Sequence, residues 1–512
     1  MKKSLQSRKR LLCLVAPALI GALYLVLCII NLNQSIWFDE AYGSYITRFD
    51  FGQMLSFTAA DVHPPLYYIL LKTWAHFFGH TVYAMRMMSA VFGAVAIVFA
   101  FLWLKYKYGS GVATLGSLML AIAPVFVRYG QEMRMYTLVV AIVFAATYVL
   151  ELAINNRKKI WWVLYAVLLA AGMWTHYFVA FAWVAHLIYL IHVYGKKIFQ
   201  KRIILTYVGA VALYLPWLPS LISQTGDVQG NGFWIKDITI NGIASYFTET
   251  LLYNNADGIS GWLLVLFFAT LITIIALAVR YRKKLTMLFC LAIAPVVGLV
   301  LLSLPPLAPM FISRYLVYAM LAISLIEAVT LALFARDAFA KKSTQKVAFY
   351  RRPAVSVAIV AALFIGTSVC GLASVYHFGN YNFITVTKST SKELFDSIVE
   401  LDAGENLSII SNDPWLYYDL ATYTSYHHDV NFIDEQTEYP YGSLKPLKES
   451  YFGKINDLDA FLADKEAVWY VGSAPEEGQL EFPREGWYAT TEATMQFDER
   501  GYTYQILKLE RE

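Results

Sequence analysis

Long apolar runs constrain this chain more than any other feature. A helix needs about 17–25 mostly apolar residues to cross a bilayer core. Nine runs reach that length: Leu11–Ile30, Tyr83–Leu104, Gly111–Val127, Tyr136–Ile154, Ile203–Ile222, Gly258–Val279, Leu285–Leu304, Phe311–Phe334 and Ala354–Tyr376. The stretch Trp161–Tyr194 would measure roughly 50 Å as one helix, too long for a ~30 Å core. The polar pair Thr175-His176 divides it into two short helices, which brings the expected spans to about eleven.

Charge placement tests that count. With eleven spans, the N-terminal cluster, Lys105/Lys107, Arg157 to Lys159, Lys196 to Arg202, Arg280 to Lys284 and Arg336 to Arg352 all fall on one side. The opposite loops ahead of the C-terminal region hold only Arg48, Lys72, Arg128, Arg134, Lys236 and Arg314. This is the positive-inside pattern, with the N-terminus cytoplasmic. Reading Trp161–Tyr194 as a single span moves the later clusters to the wrong side. The first segment lacks a small-residue cleavage site and reads as an uncleaved anchor. Pro65–Phe78 is too short to cross and carries Lys72 and His76, so an amphipathic helix lying at the outer interface is expected.

Composition separates two regions. Only 15% of the 512 residues are charged, where a soluble chain carries nearer a quarter. Up to His377 basic residues outnumber acidic ones 31 to 12; beyond it acidic residues lead 25 to 10. The expectation is a polytopic all-α membrane domain over 1–376 and a small extracytoplasmic α/β domain over 377–512. In the latter, helices are expected at Ser391–Leu401, Trp415–Tyr423 and Leu458–Asp464. Strands are expected at Leu407–Ser411, Val430–Ile433, Ala467–Val471, Ala489–Phe497 and Tyr502–Leu509, an alternation that builds a layered sheet. The side chains of Trp415, Tyr417 and Tyr418 suit a core better than a glycan-stacking platform. Cys13, Cys28, Cys290 and Cys370 sit in apolar runs with no metal-ligand spacing and read as small hydrophobes.

Charged groups near hydrocarbon persist mostly where they pair or work. Three polar clusters stand out on the outer side: Trp37–Asp50 (WFDEAYGSYITRFD), Ala60–Tyr68 (ADVHPPLYY) and Arg128–Tyr136 (RYGQEMRMY). His176 and Arg314 lie at the same level. Each has a plain structural reading. Asp39 and Glu40 suit the first turn of a helix, His63-Pro64-Pro65 a rigid helix start, Arg128 and Arg134 snorkelling, and His176 a polar hinge. Convergence of all of them on one face favours chemistry on a lipid phosphate.

At these residues the chain resembles bacterial glycosyltransferases of the C-type fold, in the protein O-mannosyltransferase and lipid A aminoarabinose transferase group (glycosyltransferase family 39 and relatives). FDEAYGSY, DVHPPLYYILLKTW, RMMSAVFG and APVFVRYGQEMRMYTL carry the resemblance, with RYL of the tenth span. It covers residues 10–200 well and 200–376 loosely. It implies a catalytic acid in the first outer loop (31–82) and a polyprenyl-phosphate sugar donor. Carried over by position, Asp39 is the general base with Glu40 beside it. His63, Glu132, Arg134 and Arg314 are donor-phosphate or substrate-binding positions. The residues themselves add Arg128 and His176 to that set. The C-terminal region does not resemble the β-trefoil of eukaryotic protein mannosyltransferases.

The chemistry needs a carboxylate to take the acceptor hydroxyl's proton, an effect typically worth 10²–10⁴-fold. It also needs cations on the leaving phosphate, where Arg binds bidentately. Together these predict an inverting displacement on a bacterial plasma-membrane protein. The acceptor is expected in the cell envelope as a glycan, lipid or protein; nucleic acid is not expected as a partner. No nucleotide-binding glycine pattern occurs. No metal ligands are assigned, although a divalent ion stays open, and no other cofactor is expected. The rival class is a transporter or flippase of lipid-linked sugars. It fits less well, because the spans are nearly charge-free apart from Arg86, Glu151 and Glu327, and no internal repeat is visible.

Overall fold

The computed structural model describes residues 2–156, 158–231, 235–256, 259, 261–340, 353–378, 390–424, 430–433, 444–448, 453–474, 480–496 and 503–512. Arg157, Asp257, Gly258, the basic residues from Lys341 to Arg352, Phe497 and Tyr502 lie outside the described residues.

Among the described residues, seven helices are long and apolar enough to cross a membrane: Val82–Tyr108, Tyr136–Asn155, Tyr177–Phe199, Lys201–Gly230, Gly261–Lys284, Ser313–Ala340 and Pro353–His377. Three shorter apolar helices cover Val15–Ile29, Ile160–Thr175 and Thr286–Leu302. The expected straight span Gly111–Val127 is instead two helices, Ser110–Ala121 and Pro124–Gly130, bent by 61°. Pro124 explains the break: its ring and missing N–H cannot continue a helix but suit the first turn of a new one. Counted as one, the pair gives an eighth span. The division of Trp161–Tyr194 falls at His176, whose extended backbone (φ −161°) ends the helix Ile160–Thr175. Its imidazole accepts from Phe178 N to start the next turn.

Contacts group the chain into two compact units. One contains Met1–Asn31, Ser89–Gln131 and Met135–His377; the other contains Leu32–Met88, Glu132–Arg134 and Phe378–Glu512. The first loop, which the sequence assigned with the spans, therefore packs as one body with the C-terminal residues. In the membrane unit the helices Tyr136–Asn155 and Ser313–Ala340 form the centre, each with 89% of its apolar window buried, against 28% for Pro353–His377. Tyr24 packs where Gly93 and Gly130 leave space for its phenol, and its hydroxyl donates to Phe126 O at 2.9 Å.

In the second unit, the loop between the first two spans folds into three helices, Phe38–Ile46, Phe51–Ala60 and Leu66–Phe78. Asp50 caps the middle one by accepting from Gln53 N at 2.9 Å. The C-terminal part builds a six-stranded sheet from β1 (Ile409–Ser411), β2 (Val430–Ile433), β3 (Lys454–Ile455), β4 (Ala467–Ala474), β5 (Trp487–Gln496) and β6 (Thr503–Arg511). The order is β3-β2-β1-β4-β6-β5. The first four strands pair in parallel, with Ile409 beside Val430 and Trp469, and β6 runs antiparallel to both β4 and β5. Ile410, Ile433, Val468, Tyr470, Leu507 and Leu509 form the sheet's buried core with Leu458 and Leu462 of a crossover helix.

Candidate active site

The helix Phe38–Ile46 begins after an extended Trp37 and places Asp39 and Glu40 in its first turn, where a negative charge suits the exposed N–H groups. The two neighbours meet different surroundings. Glu40 is fully buried and pairs side-on with Arg86, Nε to Oε1 at 2.8 Å and Nη2 to Oε2 at 2.6 Å. Oε1 also accepts from Met133 N at 2.7 Å. Arg86 spends its remaining donors on the carbonyls of Leu32, Gln34 and Ser35. Expected beside Asp39 in the chemistry, Glu40 has both carboxylate oxygens committed to this frame. It joins the second-span helix, the loop entry and the 132–134 segment into one buried knot.

Asp39 keeps 26% of its side chain exposed and sits 3.7 Å from the guanidinium of Arg134, which is almost completely buried. Arg134 Nη1 donates to Asp39 O at 3.2 Å and to the Tyr68 hydroxyl at 3.1 Å, and Nη2 lies 3.0 Å from His63 Nε2. Because a guanidinium only donates, His63 Nε2 must accept. The ring proton then sits on Nδ1, which faces Asp61 Oδ2 at 2.9 Å. Burial pushes the Tyr68 hydroxyl above its ordinary range, so it stays protonated beside the carboxylate. Arg134 N bonds Glu132 O at 2.8 Å, and the Glu132 side chain is buried. Asp39, Glu40, His63, Glu132 and Arg134 are thus brought together within one unit. Asp61, Tyr68 and Arg86 join them, none of which had been given a site role from sequence. Asp61, two residues before His63, was the readable signal; the pairing of Arg86 with a residue 46 positions away was not.

The C-terminal helix Pro414–Tyr423 packs on the Asp39 helix. Phe38 meets Trp415 edge-on with centroids 4.0 Å apart, and Tyr45 meets Tyr418 at 4.7 Å. Tyr417 and Tyr418 are buried. Below this, Ser35 bonds Ser391 at 3.1 Å, and the Tyr423 hydroxyl accepts from Ile36 N at 2.5 Å. These aromatics are core, and what they hold in place is the start of the Asp39 helix.

Arg128, His176 and Arg314 belong to the membrane unit. Arg128 is buried and its Nε donates to the Tyr253 hydroxyl at 2.7 Å. His176 lies against Tyr136 and Tyr315. Glu249, on the helix Ile240–Leu252, feels Arg314 and bonds Ser313, yet burial outweighs both and pushes its carboxyl up to about 7. Among the described residues no group of three or more His, Cys, Asp or Glu side chains is placed to hold a metal ion.

The sequence profile of dolichyl-phosphate-mannose-protein mannosyltransferases matches residues 62–221. No curated protein sequence matches significantly. Among solved structures, ArnT from Cupriavidus metallidurans in the apo state superposes with a TM-score of 0.59 at 13% identity, covering 96% of this chain and 97% of that one. Its complex with undecaprenyl phosphate gives 0.58 at 13% identity over the same shares. The chain has the C-type fold of these membrane glycosyltransferases. The archaeal oligosaccharyltransferase AglB from Archaeoglobus fulgidus, with an inhibitory peptide and a dolichol-phosphate, shares this glycosyltransferase fold more distantly. Its TM-score is 0.51 at 11% identity, over 82% of this chain and 64% of AglB.

Proposed function

We propose that this glycosyltransferase moves a sugar from a polyprenyl-phosphate carrier to a hydroxyl of a cell-envelope glycan, lipid or protein, with Asp39 as general base and inversion at the anomeric carbon. The observation that carries the assignment is the contrast between two adjacent carboxylates. Glu40 is sealed against Arg86, whereas Asp39 keeps a quarter of its side chain exposed beside a buried guanidinium. The exposed part of the Asp39 carboxylate can accept the acceptor's proton as the sugar–phosphate bond breaks.

This reading revises two roles. Arg134, expected at the donor phosphate, is engaged by Asp39, Tyr68 and His63 and acts by orienting the base. Glu40 is a positioning residue. Arg128 and Arg314 of the membrane unit remain the proposed cations for a lipid phosphate; bidentate Arg contacts suit that group. The lipid phosphates in the ArnT and AglB structures support this class of carrier. The proposed topology takes the three shorter helices and the bent pair together with the seven long ones as eleven crossings of a bacterial plasma membrane, with the N-terminus inside and the Asp39 loop and C-terminal sheet outside; the one-sided basic clusters support it. The test is turnover of purified Asp39→Asn and Glu40→Gln. Loss confined to Asp39→Asn supports the division of roles, and equal loss in both folded variants refutes it.

A further inference from the structure

Within the first loop, a cavity of about 640 Å³ is lined by Thr47, Arg48, Phe51, Ile69, Lys72, Thr73, His76, Phe77 and His80. None of the residues that hold Asp39 lines it. One wall is a single stripe of the helix Leu66–Phe78: Ile69, Lys72, Thr73, His76 and Phe77 follow the i, i+3, i+4, i+7, i+8 spacing that puts side chains on one face. The opposite wall is the turn after the Asp39 helix, carrying Thr47 and Arg48. Gly79, at φ +87°, turns the chain so that His80 closes the end.

The lining holds two permanent cations and two histidines but no carboxylate. That is unexpected where it occurs. The sequence places only six basic residues in the loops on this side ahead of the C-terminal region, and two of them, Arg48 and Lys72, face this one cavity. Lys72 Nζ donates to Thr47 O at 2.9 Å and Phe49 O at 2.6 Å, which fixes the ammonium and uses two of its three protons. His80 Nδ1 is shut off from solvent with no hydrogen-bond partner among the described residues. Burial, then Arg48 and Lys72, push the His80 imidazole down to about 4, as expected for an uncompensated positive field. At the rim Phe51 and Phe77 are 52% and 73% exposed, an apolar edge beside a cationic floor.

We propose that this cavity binds the phosphate of an anionic headgroup, with Arg48 and Lys72 on the phosphate oxygens and His76 and His80 on the polar body attached to it. The volume exceeds what a bare phosphate fills, and the aromatic rim suits a ligand whose other end is apolar. The assignment stands apart from the role of Asp39 and does not depend on it.

The experiment uses the full chain in nanodiscs of phosphatidylcholine doped with phosphatidylglycerol, with native mass spectrometry counting retained anionic lipid. In parallel, detergent-solubilised protein is titrated with inorganic phosphate and with sn-glycerol 3-phosphate by calorimetry. Two variants are compared with wild type: Arg48→Gln/His76→Gln, which removes charge, and Thr73→Asp, which adds a carboxylate to an exposed wall position. Thermal melting establishes that each is folded. The expected result is retention of phosphatidylglycerol over phosphatidylcholine by wild type, reduced at least tenfold in both variants. Saturable binding of the soluble phosphates, lost in the same variants, would support the site with a free phosphoester as its source. Equal retention by wild type and both folded variants, or no binding in either arm, overturns the proposal.

Discussion

Replacing Arg86 by Met tests whether the Glu40–Arg86 knot organises the catalytic unit. The side chain is fully buried and makes five hydrogen bonds, two to Glu40 and three to the carbonyls of Leu32, Gln34 and Ser35. Met fills similar space, so packing changes little. What is lost is the charge that compensates a buried carboxylate. Removing one partner of such a pair costs about 3–5 kcal/mol. The orphaned carbonyls act in the same direction at about 1–3 kcal/mol each where water cannot reach them. Taking about 4 kcal/mol as a floor, the folded-to-unfolded ratio of this unit falls by about 10³-fold. Glu40→Gln keeps an acceptor for Arg86 and should cost less. Because the two residues share one interaction, Glu40→Gln/Arg86→Met should be milder than the sum of the singles by more than 1 kcal/mol. The assay is denaturant-dependent proteolysis in detergent, reading cleavage within residues 32–88 and 378–512. An Arg86→Met chain as resistant as wild type, or strictly additive singles, would refute the reasoning.

Three further measurements bear on other parts of the structure. Glu249 has its folded pKa raised from 4.5 to about 7, so the folded state holds a proton that the unfolded chain releases. Wild-type stability relative to Glu249→Gln should fall as pH rises from 4.5 to 7, then level off. At 1.36 kcal/mol per pH unit this comes to about 3 kcal/mol, and a pH-independent difference in melting would contradict it. His63→Ala should lower kcat about 10–100-fold with donor affinity unchanged, because it removes a hydrogen bond to a charged group worth about 1.5–3 kcal/mol; a change in donor binding alone would place His63 on the substrate instead. Gly93→Ala should destabilise the membrane unit by about 1–3 kcal/mol, since the new Cβ overlaps the Tyr24 phenol. Thermal melting checks this, and Gly93→Ala/Tyr24→Phe should not recover the loss, because the ring itself is in the way.

The sequence revealed most where one residue acts locally. Thr175-His176 marked a real break because a polar pair inside a long apolar run has few other uses, and the stripe in Leu66–Phe78 is readable from spacing alone. Alternation of helix and strand after Ser391 likewise anticipated the sheet, although β3, only two residues long, left no pattern to detect. What stayed hidden depended on distant partners. Arg86 stood out as a charge in an apolar span, yet nothing local says that it meets Glu40. Arg134 was expected at the donor phosphate because the family resemblance carries that role to its position. Its engagement by Asp39, Tyr68 and His63 emerges only when residues 39, 63, 68 and 134 are folded together. The bend at Pro124 was visible in principle, but hydropathy alone runs through it.

The central claim is that Asp39 is the base that drives sugar off a lipid phosphate. The most direct measurement follows radiolabel leaving a panel of polyprenyl-phosphate sugars, with mixed acceptors, for wild type and Asp39→Asn in detergent. The account predicts release by wild type from at least one donor, and a drop of 10²–10⁴-fold in Asp39→Asn with donor retention intact. Equal release by the two proteins would contradict it.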